Sequence, residues 1–296
     1  MAYDEAFKSI LVSSKVKLSL ELEHLVIQQD KNIAKIFLKD INFIILESLQ
    51  ATLTSKLLST LAKHKIILLT CDEFHHINGI FSPFLGHFMS AKIAKMQIQV
   101  SLQRKAILWQ KIIKNKISNQ AHILRQAHHT TESNDLFKLA KDVTLNDAKN
   151  TEAKAAILYF KTLFGKDFTR EKICFINFAL NYGYAIVRAN IIRAVCISGL
   201  LPWYGIKHDN IYNDFNLCDD LIEVFRPLVD FYVLHLKAPK DCEFLDKENK
   251  QKLINILQKE VILENKTYPL NRAINFYVQN FKNALLENEN LIKVKF

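Results

Sequence analysis

The hydrophobic pattern changes its period once along this chain, and that change constrains the fold more than any other feature. In "VKLSLELEHLVI", residues 16–27, Leu18, Leu20 and Leu22 fall on one face while Lys17, Ser19, Glu21 and Glu23 fall on the other, the period-two signature of a half-buried strand. "QQDKNI" supplies turn residues before a second apolar run, "AKIFLKDINFIIL", and "ILLTC" forms a third. Between them Leu53, Leu57 and Leu61 recur every four residues and predict one helix. "NGIFSPFLG", residues 78–86, then gathers Gly79, Pro83 and Gly86, the best boundary signal in the chain. Beyond it the spacing is three and four: Ile93, Met96 and Val100, then Ile113, Ile117, Ala121 and Leu124. Further helices are predicted over 152–164, 171–198, 216–236, 247–259 and 268–286. The expected fold is α+β in two domains: a small β-rich, β-sandwich-like domain over residues 1–85 and a larger all-α domain over 86–296.

Composition supports long regular elements around a substantial core. Of 296 residues 49% are hydrophobic, with 20 Phe against only 6 Gly and 5 Pro. The longest apolar stretches, "INFIILESLQ" and "AIVRANIIRAVCISGLLPWYGI", are interrupted by Glu47, Arg188 and Arg193 before they reach the roughly 20 residues a membrane span needs. "MAYDEAFKSI" has no basic segment leading into an apolar one, so a cytoplasmic protein without a membrane partner is expected. Cys71, Cys174, Cys196, Cys218 and Cys242 are widely spaced with no CxxC pair, which predicts reduced structural thiols and no zinc or redox motif.

The net charge of +10 is unevenly distributed. Residues 1–85 are balanced, with nine Lys against nine Asp plus Glu. Between Glu73 and Glu132 there is no acidic residue, while Lys92, Lys95, Arg104, Lys105, Lys111, Lys114, Lys116 and Arg125 lie along amphipathic helices. Such a stretch is either a solvated basic face or a surface that tracks phosphates by displacing their counterions. Exclusion of acid over so long a span favours the second.

Against this background "GIKHDNIYNDFNLCDDLIEVFRP", residues 205–227, collects acid. Asn216 is an N-cap candidate and Asp219 complements the helix dipole. Glu223 shares a helix face with both Asp219 and Asp220, where like charges repel. One reading is structural, with the aspartates at a helix start and Glu223 paired with Arg226 on an exposed face. In the other, a hard divalent cation absorbs the repulsion, and His208 nearby biases the site toward manganese over magnesium. A third oxygen ligand would have to come from elsewhere, and Glu152, in the first turn of its helix, is available; alone it is equally a dipole partner. No Gly-rich phosphate loop, GxSxG elbow or HExxH motif is present.

Taken together, "TEAKAAILYFKTLFG", "NFALNYGYAIVRANIIRAVCISGLLPWYGIKHDN" and "FNLCDDLIEVFRPLVD" resemble the core motifs of the CRISPR-associated integrase family, which inserts spacers into CRISPR arrays. The "FLGH" junction and "LWQKIIKNKISNQAHIL" resemble its type II form. The resemblance implies a catalytic, metal-binding set of Glu152, His208 and Glu223 for magnesium or manganese, with Asp220 as an auxiliary acid. Thr151 stands where an arginine is common in the family, and Cys218, in "LCDD" for the usual "LADD", is expected to be a small buried residue. The implied reaction is attack of a 3′-hydroxyl of short duplex DNA on a phosphodiester at the repeat border. The implied partners are double-stranded DNA, a second copy of the chain joined through the β-rich domain, and the small second CRISPR-associated protein, with Arg188 and Arg193 added to the candidate DNA contacts. The alternatives are a general structure-specific nuclease using the same site on water, and a non-catalytic nucleic-acid scaffold.

Overall fold

A computed structural model describes residues 6, 8–75, 77–83, 87–238 and 245–296. The chain divides into two compact units: Met1–Ser90 with Cys196–Gly199, and Ala91–Val195 with Leu200–Phe296. Leu85 and Gly86 of the expected junction, and Cys242, lie outside the described residues.

The first unit contains β1 (Lys8–Val12), β2 (Lys17–Glu21), β3 (His24–Gln29), β4 (Asn32–Phe37), β5 (Ile41–Leu46), β6 (Thr52–Leu53), α1 (Ser55–Lys63), β7 (Ile67–Cys71) and β8 (Ile77–Phe81). Two four-stranded sheets form, in the orders β1-β5-β7-β8 and β4-β3-β2-β6. Every residue of β5, "INFIIL", is buried, as a central strand with parallel neighbours on both sides requires. Leu18 and Leu25 from one sheet and Ile10, Ile44 and Leu68 from the other share a core with Leu57 and Leu61 of α1, so the sandwich-like expectation holds. The single strand expected over 16–27 does not. It is a hairpin, β2 paired antiparallel with β3, because Leu22 (φ 44°) and Glu23 (φ 62°) take left-handed conformations and form a two-residue turn. Leu22 therefore stands exposed even though it continues the apolar alternation.

The second unit contains α2 (Ser90–Ile98) from Ala91 onward, α3 (Leu102–Gln126), α4 (Thr130–Asp142), α5 (Thr151–Phe164), α6 (Phe175–Ser198) as far as Val195, α7 (Asn216–Ile222), α8 (Arg226–Leu234), α9 (Lys247–Ile254), β9 (Glu260–Leu263), β10 (Lys266–Pro269), α10 (Leu270–Leu286) and β11 (Val294–Lys295). It is mostly helical, with one correction to the all-α expectation: β9 pairs antiparallel with both β10 and β11. Val261, Leu263 and Val294 are buried, so the small sheet packs an apolar face instead of hanging free. The long α3 runs through this unit and packs against α4, α5, α7, α8 and α10; Leu108, Ile112, Ile113, Ile117 and Leu124 make its buried stripe. The helix predicted over 216–236 is broken at residues 223–225 into α7 and α8. Pro227 has no N–H to donate to the Glu223 carbonyl four residues earlier, so helical hydrogen bonding cannot run through this point. Among the described residues no helix is long and apolar enough to cross a membrane.

Candidate active site

Glu152 is set by its helix start. Asp147 accepts hydrogen bonds from the backbone N–H groups of Thr151 (2.9 Å) and Glu152 (3.0 Å). It satisfies two of the donors that the first turn of α5 leaves open. Glu223 is set by the break between α7 and α8, where Asn119 of α3 donates to the Val224 carbonyl at 3.1 Å. Three residues before Asn119 on the same helix, Lys116 places its Nζ 2.6 Å from Glu152 Oε1 and 2.5 Å from Glu223 Oε2. Arg226 Nε meets the other oxygen of Glu223 at 2.8 Å. The two glutamates, one in α5 and one at the α7–α8 break, thus converge on one ammonium.

The electrostatics follow from burial. Removal from water alone would raise the Glu223 pKa, but Arg226 and Lys116 hold it down at about 2. Burial likewise disfavours the Lys116 ammonium, yet Glu223 and Glu152 outweigh that and raise its pKa. Glu223 Oε2 is buried against the Lys116 ammonium, so this oxygen already faces a cation. The alternative reading of Glu223 as part of an exposed pair is wrong in one respect: it does pair with Arg226, but it is only 5% exposed.

His208 is held from behind. The fully buried Asp220 accepts from the backbone N–H groups of Ile206 (2.7 Å), Lys207 (3.2 Å) and His208 (3.1 Å), and its Oδ1 also accepts from His208 Nδ1 at 2.8 Å. A carboxylate can only accept, so Nδ1 carries the hydrogen and Nε2 is the nitrogen left for other work. That bond is the main reason the His208 pKa is raised; Asp220, Glu223 and Asp219 add to it through their charge, against partial burial. Trp109 of α3 meets the imidazole edge to face at 5.7 Å. The loop can wrap this closely only because residue 205 is glycine: a Cβ there would come within 2.8 Å of Asp220 Oδ2 and closer still to the His208 carbonyl oxygen. Asn216 is not the N-cap expected of it. Phe215 occupies that position, while the Asn216 side chain staples the loop by donating to the carbonyls of Trp203 (3.2 Å) and Asn210 (2.9 Å). Gln97 holds the loop's other end through the Leu201 and Tyr204 carbonyls.

The sequence matches the family described as CRISPR associated protein Cas1 over residues 10–265. The chain belongs to the Cas1 family. It is 38% identical over 277 residues to the CRISPR-associated endonuclease Cas1 of Neisseria meningitidis serogroup C, covering 93% of this chain and 91% of that protein. Its fold is similar to a casposase bound to integration product, with TM-score 0.78 and 21% identity, over 96% of this chain and 92% of the other. It is also similar to part of a Cas6-RT-Cas1--Cas2 complex, with TM-score 0.72 and 21% identity, over 96% of this chain and 35% of the matched one.

In this Cas1 chain the expected site residues are partly assembled. Glu152 and Glu223 meet through Lys116, and His208 meets Asp220, but among the described residues no three His, Cys, Asp or Glu side chains gather into a ready metal cage. The candidate DNA contacts separate by environment. Lys92 and Lys95 are exposed on α2 and Lys114 is half-buried on α3. Arg104 donates to the Ala284 and Glu289 carbonyls, Lys105 sits 4.0 Å from the Tyr204 ring centroid, and Lys111 reaches Asn290. Arg125 is exposed but bonded to Asn134. Two of the expectations, Lys116 and Arg193, need correction. Lys116 is buried within the acidic pair. Arg193 is only 4% exposed, because α6 turns it into the core. Arg188 forms a two-pronged pair with Asp219 at 2.6 and 2.8 Å; this gives Asp219 the structural role and holds its pKa down despite burial.

Asp147 and Gly205 are site residues that sequence reasoning missed, and Lys116 was named only as a DNA contact. Only Asp147 left a signal, as an acid shortly before a helix. A further buried carboxylate, Asp230 of α8, accepts from the Tyr184 hydroxyl, while its Oδ2 has no hydrogen-bond partner. Burial pushes its pKa up to about 6. Cys218 is buried as expected, and none of Cys71, Cys174, Cys196 and Cys218 forms a disulfide.

Proposed function

We propose that this chain is a metal-dependent DNA integrase and endonuclease that joins 3′-hydroxyl ends of short duplex DNA into a CRISPR repeat by transesterification. The observation that carries this reading is the convergence of Glu152 and Glu223 on a single positive charge, beside a histidine whose free nitrogen is selected by Asp220. Two carboxylate oxygens from separate segments drawn to one positive charge fit a hard divalent cation, magnesium or manganese, which Glu152, Glu223 and His208 Nε2 would hold. When bound, such a cation supplies Lewis acidity at the phosphoryl oxygen and eases deprotonation of the attacking hydroxyl. Asp220 fixes the His208 tautomer. His208 then serves as a ligand or, protonated, gives its Nε2 proton to the leaving oxygen. The exposed Lys92 and Lys95 track the DNA backbone. The endonuclease name of the Neisseria relative and the likeness to a casposase on its product support this chemistry. The likeness to a Cas1--Cas2 assembly supports a Cas2-like partner, and a homodimer through the first unit is part of the same reading.

The test is strand joining with a 3′-hydroxyl duplex and a repeat-bearing plasmid. Glu152→Ala, His208→Ala and Glu223→Ala should each abolish joining in manganese while leaving duplex binding intact. Retained joining in any of them removes that residue from the catalytic set. Cleavage without joining by the unmodified protein would replace the integrase with a general nuclease.

A further inference from the structure

We infer that the Lys116 ammonium is a built-in placeholder for the divalent cation, holding Glu152 and Glu223 together until the metal displaces it. The inference rests on the proposed metal-dependent reading. Lys116 is 8% exposed and bridges one oxygen of each glutamate at 2.6 and 2.5 Å. Both oxygens touch the same Nζ, so a cation ligated by both of them takes the space that Nζ fills. A metal and an ammonium sharing that space without intervening water would repel strongly, which makes the two occupants alternatives. Glu152 is the more exposed of the two partners, with 27% of its side chain accessible against 7% for Glu223, so the bridge is open to solvent from the Glu152 side. Arg226 stays on Glu223 Oε1 and keeps the carboxylate ionised and aimed through the exchange. Asn119, one turn along α3, remains anchored at Val224, so only the flexible lysine stem has to move. Two carboxylates drawn together need a positive partner, and the ammonium supplies it.

The experiment measures manganese binding by calorimetry and the manganese-induced rise in melting temperature. It uses the full chain as wild type, Lys116→Met, Lys116→Gln and Lys116→Arg. Removing the competing charge should tighten manganese binding at least about ten-fold in Lys116→Met and enlarge the metal-induced rise in melting temperature. Lys116→Arg, which keeps the charge, should bind no more tightly than wild type. If the Met variant does not fold in chelator, Lys116→Gln, whose amide still donates to a carboxylate, carries the same expectation. Manganese binding that is unchanged or weaker in both neutral variants overturns the placeholder while leaving the metal site standing. No manganese binding by wild type or by any variant overturns the metal reading and the placeholder with it.

Discussion

Asp220 accepts a hydrogen bond from His208 Nδ1 at 2.8 Å while three backbone N–H groups of the same loop, those of Ile206, Lys207 and His208, also point at its carboxylate. One buried acid therefore organises the loop and selects the working nitrogen of the histidine. A folded pKa raised above the ordinary histidine value means this pair stabilises the fold below about pH 6.5, and the contribution is lost as pH rises through the raised value. Asp220→Asn is expected to lower the His208 pKa, read from imidazole chemical shifts across a pH series, and to move the pH optimum of joining. An unshifted titration would mean the hydrogen bond does not control the imidazole.

Gly205 lies where a side chain would strike Asp220 and the His208 carbonyl. Gly205→Ala is expected to push the loop away from Asp220, costing about 1–3 kcal/mol of stability. Joining should fall at least about ten-fold while duplex affinity stays within about two-fold. Urea denaturation and single-turnover joining measure the two effects separately.

Asp230 gives an opposite pH signature to Glu223. Its carboxyl, pushed from 3.8 to about 6 by burial, favours the fold while protonated, below about pH 4, and that advantage disappears as pH rises through about 6. The shift corresponds to a penalty on the order of 3 kcal/mol at pH 8. Asp230→Asn should melt higher than wild type at pH 8, and the difference should vanish by about pH 4. Melting curves across that range that run parallel would show that Asp230 is not titrating in the fold.

Lys92→Glu, Lys95→Glu and Lys114→Glu together should weaken duplex binding and flatten the dependence of log K on log salt by about one unit for each phosphate the protein no longer neutralises. Arg193→Ala should leave the slope alone and lower stability instead, since Arg193 is inside the protein. Fluorescence anisotropy over a salt series, with urea denaturation of the Arg193 variant, checks both.

Much of the fold was legible because helices and strands bury one face at their own period. Leu57 and Leu61 mark α1, although Leu53, the first of that recurrence, lies in β6, and the apolar runs at 41–46 and 67–71 mark the buried strands β5 and β7. The turn at Leu22 and Glu23 was not legible, since a backbone conformation at two ordinary residues leaves no trace in the alternation. Nor was β11, two residues long, which gains meaning only by pairing with β9 from the far side of α10.

Within the candidate site, sequence alone determined the acids and the histidine as residue types in motif order, and the basic bias of residues 92–125. Which of those basic residues is buried is a property of crossing helices: α3, α5 and the α7–α8 break meet at Lys116, and nothing in a row of similar lysines distinguishes that one. The tertiary structure also decided that Asp219 belongs to Arg188 and Asp220 to His208. These neighbours in sequence differ by about 100° around the helix, and only packing determines which of them faces the loop. Charge and periodicity are local and can be read along a chain, whereas the partner of a buried charge is set by distance in space.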